Sequence, residues 1–274
     1  MENKLRFFDS HAHYYDDRFY GEENEQGAEA LLESLFSDGL LGVINVGTNS
    51  HTNCLAIEQA KKFSHMYTAV GLHPEDMSHC NKDIDVQLSE LRALVENADE
   101  RRKNKIVAIG EIGLDYYWEP YDKELQKRCF EAQLDLAREL DLPVIIHDRE
   151  AHGDCFETVL KYPDVRGVFH SYSGSAEMAR ELVKRGWYIS FSGVVSFKNA
   201  SKIKEVAPIV PDDKILVETD APYLAPHPFR GKINHSGRLV HTAEALALCR
   251  GCSTERIAEQ TYANARALFG ISFL

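Results

Sequence analysis

Apolar and polar positions alternate along the chain in a repeated rhythm. Short runs rich in Val, Ile, Phe and Tyr are each followed by a longer stretch whose apolar residues recur every three to four positions. Short β-branched or aromatic runs suit a pleated, half-buried backbone, whereas the longer spacing suits an amphipathic helix. On this basis strands are predicted over residues 5–9, 41–47, 67–71, 106–111, 143–147, 165–170, 187–191 and 215–220. Residues 14–27 read as a polar, acidic loop leading into a helix that turns Ala30, Leu31, Ser34 and Leu35 inward. Further helices are expected around 54–63, over a charged stretch at 84–98, and over 124–140, where Phe130, Leu134 and Ala137 stand at i, i+4 and i+7. Helices at 242–250 and after Ser253 close the chain.

Eight strand–helix units with no break in composition favour one α/β architecture, a single (β/α)8 TIM barrel, slightly distorted, with additional C-terminal helices. Length alone would suggest two domains, but a closed barrel takes roughly 250 residues as one, so residues 1–274 are expected to form a single domain. No Gly-x-Gly-x-x-Gly follows the first strand, which weakens a dinucleotide-binding sheet. At 44% hydrophobic and 27% charged residues the chain can bury a large core, and a disordered chain is excluded. No apolar run approaches the ~18 residues that span a bilayer, and the first nine residues hold no segment of signal-peptide length. Six scattered cysteines fit a reducing compartment, so a cytoplasmic enzyme is expected. Cys249-Arg250-Gly251-Cys252 lacks a second cysteine pair and reads as a helix end. The net charge of -12 argues against broad coating of nucleic acid while leaving local phosphate binding open.

Chemistry gathers at one end of the predicted strands. His11 and His13 close the first strand, and i, i+2 spacing on an extended chain sends both imidazoles to the same side. Glu111 ends the fourth strand, His147 the fifth, His170 the sixth and Asp220 the eighth, at the C-terminal face where barrel enzymes build their sites. One such residue alone reads as a hydrogen-bonded rim residue or a helix cap; six together point to metal. A tetrahedral zinc needs about four ligands, so six donors suit two divalent ions (Mg²⁺, Mn²⁺ or Zn²⁺), with Glu111 able to bridge. Asp220 and Glu111 are the expected catalytic carboxylates. His73, Arg149, Arg230 and Lys232 are the expected substrate contacts, Arg gripping phosphate in bidentate fashion and Lys as a point charge. His51, His65, His79, His152 and His241 read as cap-region or surface residues.

With these residues placed, the chain resembles the TatD family of metal-dependent deoxyribonucleases, within the amidohydrolase-like barrels. The resemblance runs through Asp9-Ser10-His11-Ala12-His13, Gly71-Leu72-His73-Pro74, Gly110-Glu111-Ile112-Gly113-Leu114-Asp115-Tyr116, Ile146-His147, His170-Ser171-Tyr172-Ser173-Gly174, Glu218-Thr219-Asp220-Ala221-Pro222-Tyr223-Leu224 and Phe229-Arg230-Gly231-Lys232. It implies that His11, His13, Glu111, His147, His170 and Asp220 are the ligands, and that the activity is Mg²⁺-type cleavage of DNA, often exonucleolytic. The expected arrangement is one metal on His11, His13 and Asp220, the other on His147 and His170, and Glu111 between them, with Asp220 taking the proton of a metal-activated water. The expected partner is a DNA strand end, with single and double strands both left open, without membrane or organic cofactor. The family's usual Ser after the fifth-strand His is Asp148 here, its usual Cys after the sixth-strand His is Ser171, and His235-Ser236 replaces a common Glu-Pro pair. The competing readings are a metal-dependent amidase, lactonase or deaminase acting on a small metabolite, and a non-catalytic binding module.

Overall fold

The computed structural model describes residues 6–21, 27–79 and 83–272. Leu5 at the head of the expected first strand, residues 22–26 of the expected acidic loop, and the side chain of His79 lie outside the described residues. Eight strands make one sheet in chain order: β1 (Phe8–Ala12), β2 (Gly42–Val46), β3 (Met66–Val70), β4 (Ile106–Asp115), β5 (Val144–Arg149), β6 (Gly167–Phe169), β7 (Tyr188–Phe191) and β8 (Ile215–Val217). The pairings are parallel, and the architecture is the expected (β/α)8 TIM barrel. Past the end of β8 the chain runs beside β1: the Asp220 amide donates to the His11 carbonyl at 2.9 Å and the His13 amide to the Ala221 carbonyl at 2.7 Å. Among the described residues, no helix is long and apolar enough to cross a membrane.

Helices α1 (Gly27–Ser37) and α2 (Ser50–Ala60) follow β1 and β2, and α3 (Pro74–His79), α4 (Ile84–Val95) and α5 (Ala98–Lys103) lie between β3 and β4. Then α6 (Lys123–Leu140), α7 (His152–Leu160), α8 (Ala176–Lys184) and α9 (Ser201–Val206) each follow a strand, and α10 (Leu239–Arg250) and α11 (Thr254–Phe269) end the chain. Contacts divide the chain into two compact units, residues 1–45, 170–267 and 271–274 in one, 46–169 and 268–270 in the other. The first unit holds β1, β7, β8 and all but the last residue of β2; Phe8, Leu32, Ile44 and Phe191 are buried in it. The second holds β3 to β6, with Met66, Ile109, Phe130 and Phe169 buried.

Several boundaries differ from those the hydrophobic pattern gives, and for a common reason. β1 begins at Phe8 and continues through His11, and β4 runs four residues past Glu111 to Asp115. Both strands bury polar residues, Asp9 and His11 in one and Glu111 and Asp115 in the other, which a rule based on apolar runs reads as strand ends. β5 likewise continues to Arg149. Conversely β6 and β8 stop early, and His170 and Asp220 sit just beyond them. In α1 the buried stripe is Ala28, Leu32 and Leu35, so of the four expected inward residues only Leu35 is buried. The charged stretch at 84–98 breaks at Asn97, whose side chain caps α5 by accepting from the amides of Asp99 and Glu100. Asn49 likewise starts α2 at Ser50, four residues before the expected Cys54.

Helix α6 does more than cover the sheet. Gln133 accepts from the Leu72 amide at 2.8 Å and donates to its carbonyl at 3.1 Å; Gln126 does the same for Asp115, at 2.9 and 2.8 Å. Two buried amides thus satisfy backbone groups beyond β3 and at the end of β4, the segments that carry His73 and Asp115. Gly113 has φ 144, and a Cβ there would lie 2.0 Å from the carbonyl oxygen of His147, so only glycine lets β4 approach β5 at this register.

Candidate metal centre

In the first unit, His11 Nε2, His13 Nε2 and Asp220 Oδ1 lie 3.1, 3.4 and 3.8 Å apart. Tetrahedral metal–nitrogen bonds of about 2.1 Å place ligand atoms about 3.4 Å from one another, so this triangle has the size of one face of a cation's shell. His170 joins the group, with donor atoms of His11, His170 and Asp220 all within 4.8 Å. Its ring stacks on that of His11 at 4.2 Å. β1 supplies His11 and positions His13, while Ser171 and Asp220, at φ 37 and 55, turn the chain sharply after β6 and β8 and bring their segments round.

In the second unit, Glu111 Oε1 lies 2.7 Å from His147 Nδ1 and 3.5 Å from His73 Nε2. These three again offer donor atoms within 4.8 Å of one another. The outer ring nitrogens decide which imidazoles are built as ligands. His147 stands between two carboxylates, with Nε2 2.9 Å from Asp115 and Nδ1 2.7 Å from Glu111, so a cation held on Nδ1 would leave the ring proton on Nε2 for Asp115. His170 Nδ1 lies 3.2 Å from Glu218, and His13 Nδ1 lies 3.1 Å from the Tyr15 hydroxyl, so both present Nε2. A protein partner on the far nitrogen is the arrangement by which metal-ligating histidines are oriented. His73 is different: its Nδ1 accepts from the Glu75 amide at 3.2 Å, so a neutral ring carries its proton on Nε2 toward Glu111. It is arranged as a donor rather than a ligand. Donor types and spacing at His11, His13, Glu111, His147, His170 and Asp220 fit divalent cations.

Electrostatics agree with this division. Burial by itself would raise the Asp220 carboxyl, but His13, His11 and His170 outweigh it and hold the group below the usual carboxylate range. Asp115 is likewise lowered, burial being overcome by His147 and by the amides of Tyr117 and Trp118. Asp9 behaves in the opposite way. Burial pushes it up to about 6 even though it accepts from the Thr219 amide (2.9 Å), the Thr219 hydroxyl (2.6 Å) and the Ser236 hydroxyl (2.6 Å). Through these bonds Asp9 ties β1 to the segment carrying Asp220, and Ser236 in turn meets the Tyr14 hydroxyl at 2.7 Å.

Among the expected substrate contacts, Arg230 and Lys232 line one cleft of about 390 Å³ with Arg18, Phe197 and Tyr223, three residues past Asp220. The Arg230 guanidinium rests 4.2 Å over Phe197, and Arg18 lies 4.0 Å over Tyr223. Arg149 ends β5 in the second unit and stacks on Tyr117 and Trp118. Asp148 at the family's Ser position bonds His152 at 2.9 Å, at the start of α7. Cys249 and Cys252 flank the left-handed Gly251 that caps α10, which is the expected helix end. Asp115, Glu218, Tyr15 and Arg18 are the residues that the pattern did not single out. The first two lie within quoted motifs, and a rule seeking ligands alone passes over the groups that orient them.

The sequence profile of TatD-related DNases matches residues 8–270. The chain is 39% identical over 268 residues to the Bacillus subtilis protein named as an uncharacterized metal-dependent hydrolase, YabD, covering 97% of this chain and 99% of that one. It is 32% identical over 250 residues to the 3′-5′ ssDNA/RNA exonuclease TatD of Salmonella typhimurium, covering 89% and 93%. The crystal structure of YjjV, a TatD homologue from Escherichia coli, superposes with a TM-score of 0.87 at 30% identity, over 98% of this chain and 99% of that one. The chain belongs to the TatD family of metal-dependent hydrolases.

Proposed function

We propose that residues 1–274 act as one catalytic domain, a two-cation phosphodiesterase that removes nucleotides from the end of a single DNA strand. The observation that carries this reading is the orientation of three imidazoles: His13, His147 and His170 each have one ring nitrogen beside a protein partner and the other turned to a carboxylate or imidazole group. The proposed ligands are His11, His13, Glu111, His147, His170 and Asp220. Two divalent ions (Mg²⁺, Mn²⁺ or Zn²⁺) would match that number of donors. The name of the Salmonella relative favours single strands and the 3′ end.

Bound divalent cations supply acidity to a water and neutralise charge building on the phosphate. The protein's own groups do the rest. Asp220, kept ionised by the facing histidines, accepts the proton of the attacking water and returns it to the leaving oxygen. His73 donates from Nε2, and Arg149, Arg230 and Lys232 hold phosphates flanking the scissile one. Among the described residues neither Arg230 nor Lys232 is paired with a carboxylate, so their charge is available to a substrate.

The test is cleavage of end-labelled single- and double-stranded DNA with Mg²⁺, Mn²⁺ or Zn²⁺, beside a panel of small esters and amides, with Glu111→Gln as the inactive control. Shortening of the single strand from its 3′ end is expected. Turnover of a small ester or amide with no nucleic acid cleaved under any of these metals would replace this reading with the small-metabolite hydrolase.

A further inference from the structure

Tyr117 and Trp118 are 51% and 48% exposed, side by side, immediately past the end of β4. Isolated exposed aromatics are ordinary on a protein surface. These two are held in place. Asp115 Oδ1 accepts the Tyr117 amide at 2.8 Å and the Trp118 amide at 3.3 Å, while its Oδ2 accepts His147 Nε2 at 2.9 Å. One carboxylate therefore fixes both the aromatic pair and an imidazole of the metal centre. The two rings stand edge to face, with centroids 4.9 Å apart and planes at 88°.

A cation completes the arrangement. The Arg149 guanidinium sits 3.9 Å over the Tyr117 ring and 5.2 Å from that of Trp118. Among the described residues no carboxylate pairs with Arg149, and the adjacent Asp148 is bonded to His152 instead. An aromatic face beside an uncommitted guanidinium matches one chemistry closely: an unpaired base lies on a ring while the phosphate joined to it meets the cation. A base inside a duplex has both faces covered by its neighbours and cannot use such a surface.

We infer that Tyr117, Trp118 and Arg149 form a base-stacking platform that makes the enzyme select unpaired nucleotides, the rings taking a base and the guanidinium its phosphate. The inference deepens the phosphodiesterase reading and rests on it for the substrate, but binding is measurable without turnover. Trp118 gives the signal, because the chain has two tryptophans and the other, Trp187, is 3% exposed.

The experiment titrates the metal-loaded wild type with a single-stranded phosphorothioate oligothymidylate and with an abasic strand of the same length, following tryptophan emission. Cleavage kinetics are then measured on unmodified single strands for Tyr117→Ala, Trp118→Ala, Tyr117→Phe and Trp118→Phe. The oligothymidylate quenches the emission and the abasic strand does not. The alanine variants raise KM about 10- to 100-fold, as expected for loss of a stacked base, with much less change in kcat, and the phenylalanine variants restore it. Equal quenching by the abasic strand, or wild-type KM in both alanine variants, overturns the platform while leaving the phosphodiesterase reading intact. Base-dependent quenching in a protein that cleaves no nucleic acid supports the platform and overturns the catalytic reading instead. Neither quenching nor cleavage overturns both.

Discussion

Asp115 carries two duties on one carboxylate, holding His147 and the backbone that follows β4. Replacing it with Asn removes the charge that keeps the His147 proton on Nε2. Divalent-cation affinity is expected to fall about 10- to 100-fold with the thermal transition of the metal-free protein little changed, as titration calorimetry and melting would show. His235 supplies a second prediction, in stability. Burial, with a smaller contribution from Arg238, pushes its pKa down to about 4 from 6.5. Between those values the unfolded chain binds more protons than the folded one, so stability is present above pH 6.5 and is lost as pH falls toward 4. The loss amounts to at most about 3 kcal/mol. Urea unfolding at pH 7 and pH 4.5 should show a smaller loss in His235→Phe than in the wild type; equal losses would remove this account. The proposed ligands stand out in the sequence because each lies near a strand end beside an apolar run. Asp115 and Glu218 were not, since a carboxylate that orients an imidazole looks in sequence like any other acid.

Strands β4 and β5 show where pattern reasoning stops at the element scale. The apolar run 106–111 marked the existence of β4, but its extension to Asp115 depends on Gln126 satisfying the backbone of Asp115 across 11 residues of chain. No local rule sees that partner. The phase of α1 differs from the apolar pattern for a related reason: Ala30 and Leu31 are apolar but only partly buried, and Ala28 and Leu32 take the inward stripe. Glycines test the geometry directly. Gly113→Ala would put a methyl 2.0 Å from the His147 carbonyl at φ 144, and a loss of about 3 kcal/mol or more is expected, with metal binding weakened as β5 shifts. Gly153, inside α7, has nothing within 4 Å of its would-be Cβ, and Gly153→Ala should stabilise by about 0.5–1 kcal/mol. Chemical denaturation of the two variants beside the wild type measures both, and similar values for the two would contradict the close approach at Gly113.

At the scale of the whole chain, the eightfold repeat made the barrel legible, because each strand–helix unit announces itself by period. The net charge of -12 takes on a different meaning once the site is considered. Glu111 and Asp220 are proposed to be offset by cations, and the basic groups available to a substrate are few. Binding to DNA is therefore expected to depend more on metal than on salt, with a shallow salt slope set by a handful of phosphate contacts. Chelation should also lower the melting temperature: free cation at a hundred times its Kd stabilises the folded state by about 2.7 kcal/mol per site. A melting temperature unaffected by chelator would place the metal outside the folded structure's donor set. The most direct test of the central claim is single-turnover cleavage of a 3′-labelled single DNA strand by Asp220→Asn beside the wild type, with bound metal quantified in both. The account predicts rapid release of the terminal nucleotide by the wild type and a loss of at least about a hundredfold in the variant, the range for removing a general base. Full-rate cleavage by a metal-loaded Asp220→Asn would contradict it.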